Sequence, residues 1–126
     1  MTKEIIATEN APAAVGPYSQ AVKVGNMVFT SGQIGLNPDG SGMVDGLENQ
    51  AHQVLKNLSA VLEAAGSSLD NVIKTTVFLS DINDYKVVNG IYAEYFTGEP
   101  PARSAVEVAN LPLGALVEVE AIGLIS

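Results

Sequence analysis

The sequence predicts an α+β fold in which two helices cover one face of a β-sheet. Three observations carry this reading: two apolar runs joined by Gly25-Asn26, two stretches of helically spaced apolar residues on either side of a strand, and a last strand of strict two-residue alternation. Each element follows in order along the chain.

Lys3 to Ala7 mixes polar and apolar residues in a short strand, and Asn10 to Pro17 is a loop rich in Pro and Gly. Ala21 to Val24 and Met27 to Ser31 form a hairpin, because Gly25-Asn26 tolerates the positive φ that a two-residue turn requires. Ile34 to Gly46 has loop composition. Glu48 to Ala65 places Ala51, Val54, Leu55, Leu58, Val61, Leu62 and Ala65 on one helical face, and Gly66 stops it. Val72 to Ser80 is a strand with Ile73, Thr75, Val77 and Leu79 on one side and Lys74, Thr76, Phe78 and Ser80 on the other.

Asp81, Asn83 or Asp84 caps a second helix whose stripe is Tyr85, Val88, Tyr92, Tyr95 and Phe96, ended by Gly98 and Pro100-Pro101. The last third reads as another hairpin, Arg103 to Val108 and Leu116 to Ile125, turning around Asn110 to Gly114. Alternation in the final strand puts Val117, Val119, Ala121, Gly123 and Ile125 beneath the helices, and Leu116, Glu118, Glu120, Ile122 and Leu124 on the opposite face. A second face this apolar calls for a partner, most simply another copy of the chain.

Composition narrows the function. The 126 residues suit a single domain, 1–126, carrying 6 basic and 14 acidic side chains and a net charge of −8. At 47% hydrophobic residues and a mean hydropathy of +0.23 the chain is too apolar for disorder, and the excess fits an oligomer. No apolar run reaches the roughly 18 residues of a membrane span, and Met1-Thr2-Lys3-Glu4 lacks the regions of a signal peptide, so a cytoplasmic location without membrane contact is expected. With no cysteine and His52 as the one histidine, thiolate chemistry, a disulfide framework and an intrachain two-His metal site are unsupported; no metal or other cofactor is expected. Nucleic acid is disfavoured because Lys3, Lys23, Lys56, Lys74 and Lys86 are scattered rather than clustered. Arg103 is the sole arginine.

A final hairpin centred between Asn110 and Leu111 sets Arg103 opposite Glu118 on a shared face, and a two-residue slip sets it near Leu116 or Glu120. Such a pair is either an ordinary cross-strand ion pair or a substrate anchor, a planar two-pronged donor for a carboxylate beside a Glu able to handle water. Glu118 and Glu120, about 6.6 Å apart along the strand, have no sugar-binding aromatic surface beside them. Asn37 to Gly42 has the glycines of a phosphate loop without its Lys and Ser/Thr, and reads as a turn. His52 suits a helix flank or an interface. Gly16-Pro17-Tyr18-Ser19-Gln20 is either a structural turn or a fixed presentation of hydroxyl and amide groups, and Ser31-Gly32-Gln33 is a strand end where backbone could approach a ligand.

Taken together, Gly16-Pro17-Tyr18-Ser19-Gln20, Ser31-Gly32-Gln33, Lys74 to Phe78, Val88-Asn89 with Tyr92 and Tyr95-Phe96, Pro101-Ala102-Arg103-Ser104, and Val117 to Ala121 resemble the reactive intermediate deaminase family in its RidA-type branch. The likeness spans nearly the whole chain. It implies a chorismate-mutase-like protomer with a mixed sheet, a homotrimer with a site in each subunit cleft, and hydrolysis of enamines and imines such as 2-aminoacrylate and 2-iminobutanoate to 2-keto acids and ammonia, without a cofactor. Carried over by position, Arg103 pairs with the substrate carboxylate, Glu118 positions or activates water, and Tyr18, Ser31, Gly32 and Asn89 line the pocket, with the proton for enamine tautomerisation coming from Glu118, Tyr18 or solvent. At Ala105 the family pattern usually has cysteine, which leaves only the backbone there to hold water. The alternative is a non-catalytic regulator that binds keto or amino acids in the same clefts.

Overall fold

The computed structural model describes residues 2–126. Six strands form one mixed sheet: β1 (Lys3–Ile6), β2 (Ala21–Val24), β3 (Met27–Thr30), β4 (Val72–Leu79), β5 (Ala102–Glu107) and β6 (Val117–Leu124), in the order β1-β2-β3-β6-β4-β5. Two helices, α1 (Leu47–Ala64) and α2 (Tyr85–Tyr95), pack on one face. The α+β expectation holds.

Local chemistry places the boundaries. The β2–β3 hairpin forms as expected, with the positive φ of 57° on Gly25 and Val24 paired to Met27. Helix α1 ends in a Schellman motif: Gly66, at φ 87°, donates its N–H to the Glu63 carbonyl, and Ser67 donates to Leu62. Of the three candidate caps for the second helix, Asp81 does the work. Its carboxylate accepts from the Asn83 N–H at 2.9 Å and starts a 3₁₀ turn, Ile82–Asp84, that leads into α2.

The core lies between the helices and the sheet. Leu58 and Leu62 of α1, Val28, Leu79, Val117 and Val119 are all essentially inaccessible. Truncating either leucine to Ala would cost about 2–5 kcal/mol. The alternation expected along β6 is present, with Val117, Val119, Ala121 and Gly123 buried, while along β4 it fails at Ile73. That residue sits in a bulge between Val72 and Lys74 and is exposed.

The larger correction concerns the last third, where β5 and β6 are not a hairpin. Strand β5 runs parallel to β4 as the return of a β4–α2–β5 crossover, and β6 enters between β3 and β4, antiparallel to both. Two lengths explain the choice. The eight residues of β6 match the eight of β4 along a full ladder, while the six of β5, mostly exposed, suit an edge.

This topology moves Arg103. Its row across the sheet is Arg103, Thr75, Ala121, whereas the row of Glu118 is Val106, Phe78, Glu118. The rows differ by three positions along β4, about 10 Å, and an odd offset puts their side chains on opposite faces. Arg103 therefore does not face Glu118 across a strand pair. It lies on the helix side, and Glu118 on the open side.

Candidate functional site

On the helix side, a cation is held by aromatic groups at the edge of the sheet. The Arg103 guanidinium lies 4.8 Å from the Tyr92 ring centroid and 5.5 Å from that of Tyr85, and its Nη2 donates to the Tyr85 hydroxyl at 2.9 Å. Thr75, fully buried in the next strand, shares a 2.8 Å hydrogen bond with the Tyr92 hydroxyl and so fixes the ring beneath the cation. Asn89, one turn along α2 from Tyr85, reaches toward the Tyr85 hydroxyl; its side chain first, and the nearby Arg103 charge second, lower the Tyr85 pKa. Burial raises that of Tyr92. The ring contacts fix the plane of the guanidinium while only one of its five N–H donors is committed to Tyr85, an arrangement suited to gripping a carboxylate. Ala105, two residues along β5, packs on the same side.

On the open side, Tyr18, Ser31, Gly32, Glu118 and Glu120 line a cavity of about 640 Å³. The loop that brings Tyr18 there is stapled from within. Buried Gln20 accepts from the Thr8 N–H at 2.6 Å and donates to the Pro12 carbonyl at 2.7 Å, and the Ser31 hydroxyl donates to the Ser19 carbonyl at 2.6 Å. Past β3 the chain crosses β6 through a bridge of Gln33 with Val119, which lays Gly32 beside Glu118. A larger residue there would displace the Glu118 carboxylate. A methyl group on Gly32 would overlap the Glu118 carboxylate and come within 2.7 Å of its Cδ. Burial, and secondarily the Glu120 charge, raise the Glu118 pKa above the ordinary carboxylate value. A half-buried carboxyl of raised pKa beside hydroxyl groups can take a proton from water or return one.

Within one chain the expected residues thus fall into two groups: Arg103, Asn89 and Ala105 near the β5 edge, and Tyr18, Ser31, Gly32 and Glu118 around the cavity. Sequence reasoning missed Tyr85 as a partner of Arg103. It was grouped with the apolar stripe of α2, yet it is 39% exposed, and the signal that could have found it is a tyrosine four residues before Asn89 on the helix that returns to β5. For Gln20, of the two readings left open, the structural one holds: its amide is spent on the loop. His52 shares a 2.7 Å hydrogen bond with the Tyr95 hydroxyl and joins α1 to α2, a flank role as expected. Among the described residues no group of three His, Cys, Asp or Glu side chains is placed to hold a metal ion, and no helix is long and apolar enough to cross a membrane.

Comparison with known proteins decides the lineage. The family model described as Endoribonuclease L-PSP matches residues 8–125. The chain belongs to that family. Among members of the L-PSP family, the mouse protein named 2-iminobutanoate/2-iminopropanoate deaminase is 51% identical over 97% of this chain and 91% of its own length. Reactive Intermediate Deaminase A of Arabidopsis thaliana is also 51% identical, over 95% of this chain and 65% of its own length, which bears out the resemblance read from the motifs. The crystal structure of E. coli TdcF with bound serine is 42% identical and superposes with a TM-score of 0.92 over 98% of this chain and 99% of that one.

Proposed function

We propose that this chain is a hydrolase that converts 2-imino acids and their enamine tautomers, 2-aminoacrylate and 2-iminobutanoate among them, to 2-keto acids and ammonia. The observation that carries the proposal is the half-buried Glu118 carboxyl of raised pKa, set against Gly32 in a cavity with the Tyr18 and Ser31 hydroxyls. The names of the mouse and Arabidopsis relatives support the same chemistry.

An imine carbon is already electrophilic, so the reaction needs anchoring, a placed water and proton transfer, with no metal or cofactor. Arg103 binds the substrate carboxylate. An enamine first takes a proton at its terminal carbon to become the imine. Glu118 then removes a proton from water as the oxygen adds to the imine carbon, forming a carbinolamine. Glu118 returns its proton to the carbinolamine nitrogen, the carbon–nitrogen bond breaks as the hydroxyl gives up its proton to solvent, and ammonia leaves the 2-keto acid. Tyr18 and Ser31 line the pocket and orient the water, and Asn89 acts through Tyr85 to hold the guanidinium.

Because Arg103 and Glu118 occupy opposite faces of one sheet, the site is completed between copies: the β5 edge of one protomer meets the cavity of the next, in a homotrimer. The open face supports this reading, since Phe29 and Leu124 leave 41% and 38% of their surfaces exposed there.

The test supplies 2-aminoacrylate from a pyridoxal-phosphate-dependent dehydratase acting on serine and follows pyruvate formation. Acceleration by the purified chain is expected, and no acceleration over buffer overturns the proposal. The serine bound in TdcF favours a second reading, a non-catalytic sensor of small amino acids; saturable serine binding without acceleration would select it. Ribonuclease activity, named in the family description, sits poorly with a charge of −8 and one arginine.

A further inference from the structure

Leu113 has a conformation that its side chain opposes. It lies in the 3₁₀ turn Pro112–Gly114 with φ 57° and ψ 25°, the left-handed region, and it is 75% exposed. Among the described residues other than glycine it alone has a positive φ. Gly114 beside it also has a positive φ, 70°, so the turn already contains the residue type that adopts this conformation without strain. A bulky aliphatic chain kept there, largely in water, stabilises neither the turn nor the core. Its position explains it better: with Pro112 it forms part of the wall of the Glu118 cavity, where Val15, 87% exposed, Ala13, Ile34 and Leu36 supply the rest of the hydrocarbon.

Within one chain the cavity measures about 640 Å³, before the β5 edge of a neighbouring copy closes it. Its polar lining is Glu118, Tyr18 and Ser31, engaged by the reaction proposed above, together with Gln20, Gln33 and Glu120; the rest of the lining is the apolar wall.

We propose that Leu113, with Val15, is a specificity-determining residue that receives the side chain of the imine and favours 2-imino acids with aliphatic chains of four to six carbons over the three-carbon substrate. This deepens the deaminase reading and rests on it. The left-handed turn aims the leucine at the cavity, and a glycine in its place would relax the backbone while opening the wall.

The experiment uses the full-length chain and imines generated by an amino-acid oxidase from leucine, norvaline and alanine, with keto acid and residual imine measured for each. In Leu113→Gly the ratio of kcat/KM for the leucine-derived imine to that for the alanine-derived imine is expected to fall about tenfold, with no loss of thermal stability. Leu113→Asn, which tolerates the left-handed conformation but is polar, is expected to lower the ratio at least as far. A ratio unchanged in both variants overturns the inference while leaving the deaminase reading intact. An equal loss for every imine accompanied by dissociation of the oligomer also overturns it, because Leu113 would then be a contact between copies. Failure of the unaltered chain to process any imine overturns the deaminase reading and the wall with it.

Discussion

The β5 edge and the open-face cavity solve opposite electrostatic problems within one sheet. At the edge, a permanent cation remains near the surface and is oriented by what it touches: the faces of Tyr85 and Tyr92, with Thr75 holding the Tyr92 ring and the Tyr85 hydroxyl accepting from the guanidinium. In the cavity, a carboxylate is drawn into low-polarity surroundings beside a glycine that leaves it room, and its proton affinity rises. One region achieves rigidity without changing charge, and the other achieves a change of proton affinity by giving up water. In the proposed reaction neither is sufficient alone, since an anchor without a base only binds and a base without an anchor lacks orientation.

Breaking the anchor should have the largest effect. Arg103→Ala is expected to lower kcat/KM for 2-aminoacrylate by about a thousandfold or more, the cost of leaving a bound carboxylate unpaired, while thermal unfolding changes little because the edge carries little of the core. Steady-state kinetics beside a melting curve checks both parts. Arg103→Lys should restore only part of the loss, because an ammonium cannot reproduce the planar fork.

Disturbing the cavity should cost less. Gly32→Ala puts a methyl group where the Glu118 carboxylate lies, and since the flexible end of a side chain can move aside, the fold survives while the carboxylate shifts. A loss of about a hundredfold in kcat, with an unchanged melting temperature, is expected for a displacement of about 1 Å. A large fall in stability with normal kcat would contradict it.

The smallest change expected is one of pH. Burial is the main cause of the raised Glu118 pKa and the Glu120 charge is secondary. Glu120→Gln should therefore move the acid limb of the kcat/KM profile to lower pH without returning it to the ordinary 4.5. Stability is linked to the same group. The folded chain holds the Glu118 proton more tightly than the unfolded chain, so its contribution declines as pH rises from the ordinary carboxylate value to the raised one, and Glu118→Gln should flatten that slope in melting curves.

What could be read in advance follows from which properties are local. The Gly25 turn, the Gly66 stop and the two faces of β6 are written in neighbouring residues, and each formed as expected. Strand neighbours are different. Alternation says which way Glu118 points but not that β6 slides between β3 and β4, and a hairpin was the nearer guess for two successive strands. That one choice governed the candidate site, because it decided whether Arg103 shares a face with Glu118. The family resemblance named most of the relevant residues without revealing that they divide between two sides. Tyr85 escaped because its helical spacing is that of a core residue, and only the arrival of Arg103 from β5 gives its hydroxyl a partner. The bulge at Ile73 had no local marker at all.

The central claim is that one protomer's guanidinium works with another's carboxylate, and mixed oligomers test it most directly. Arg103→Ala and Glu118→Gln chains, each inactive alone, are unfolded, combined in equal amounts and refolded together, and keto-acid formation is measured. Random assembly pairs an intact Arg103 with an intact Glu118 across about a quarter of the interfaces, so activity near a quarter of the unaltered protein's is expected. Mixed oligomers that form but stay as inactive as their parents would contradict the account.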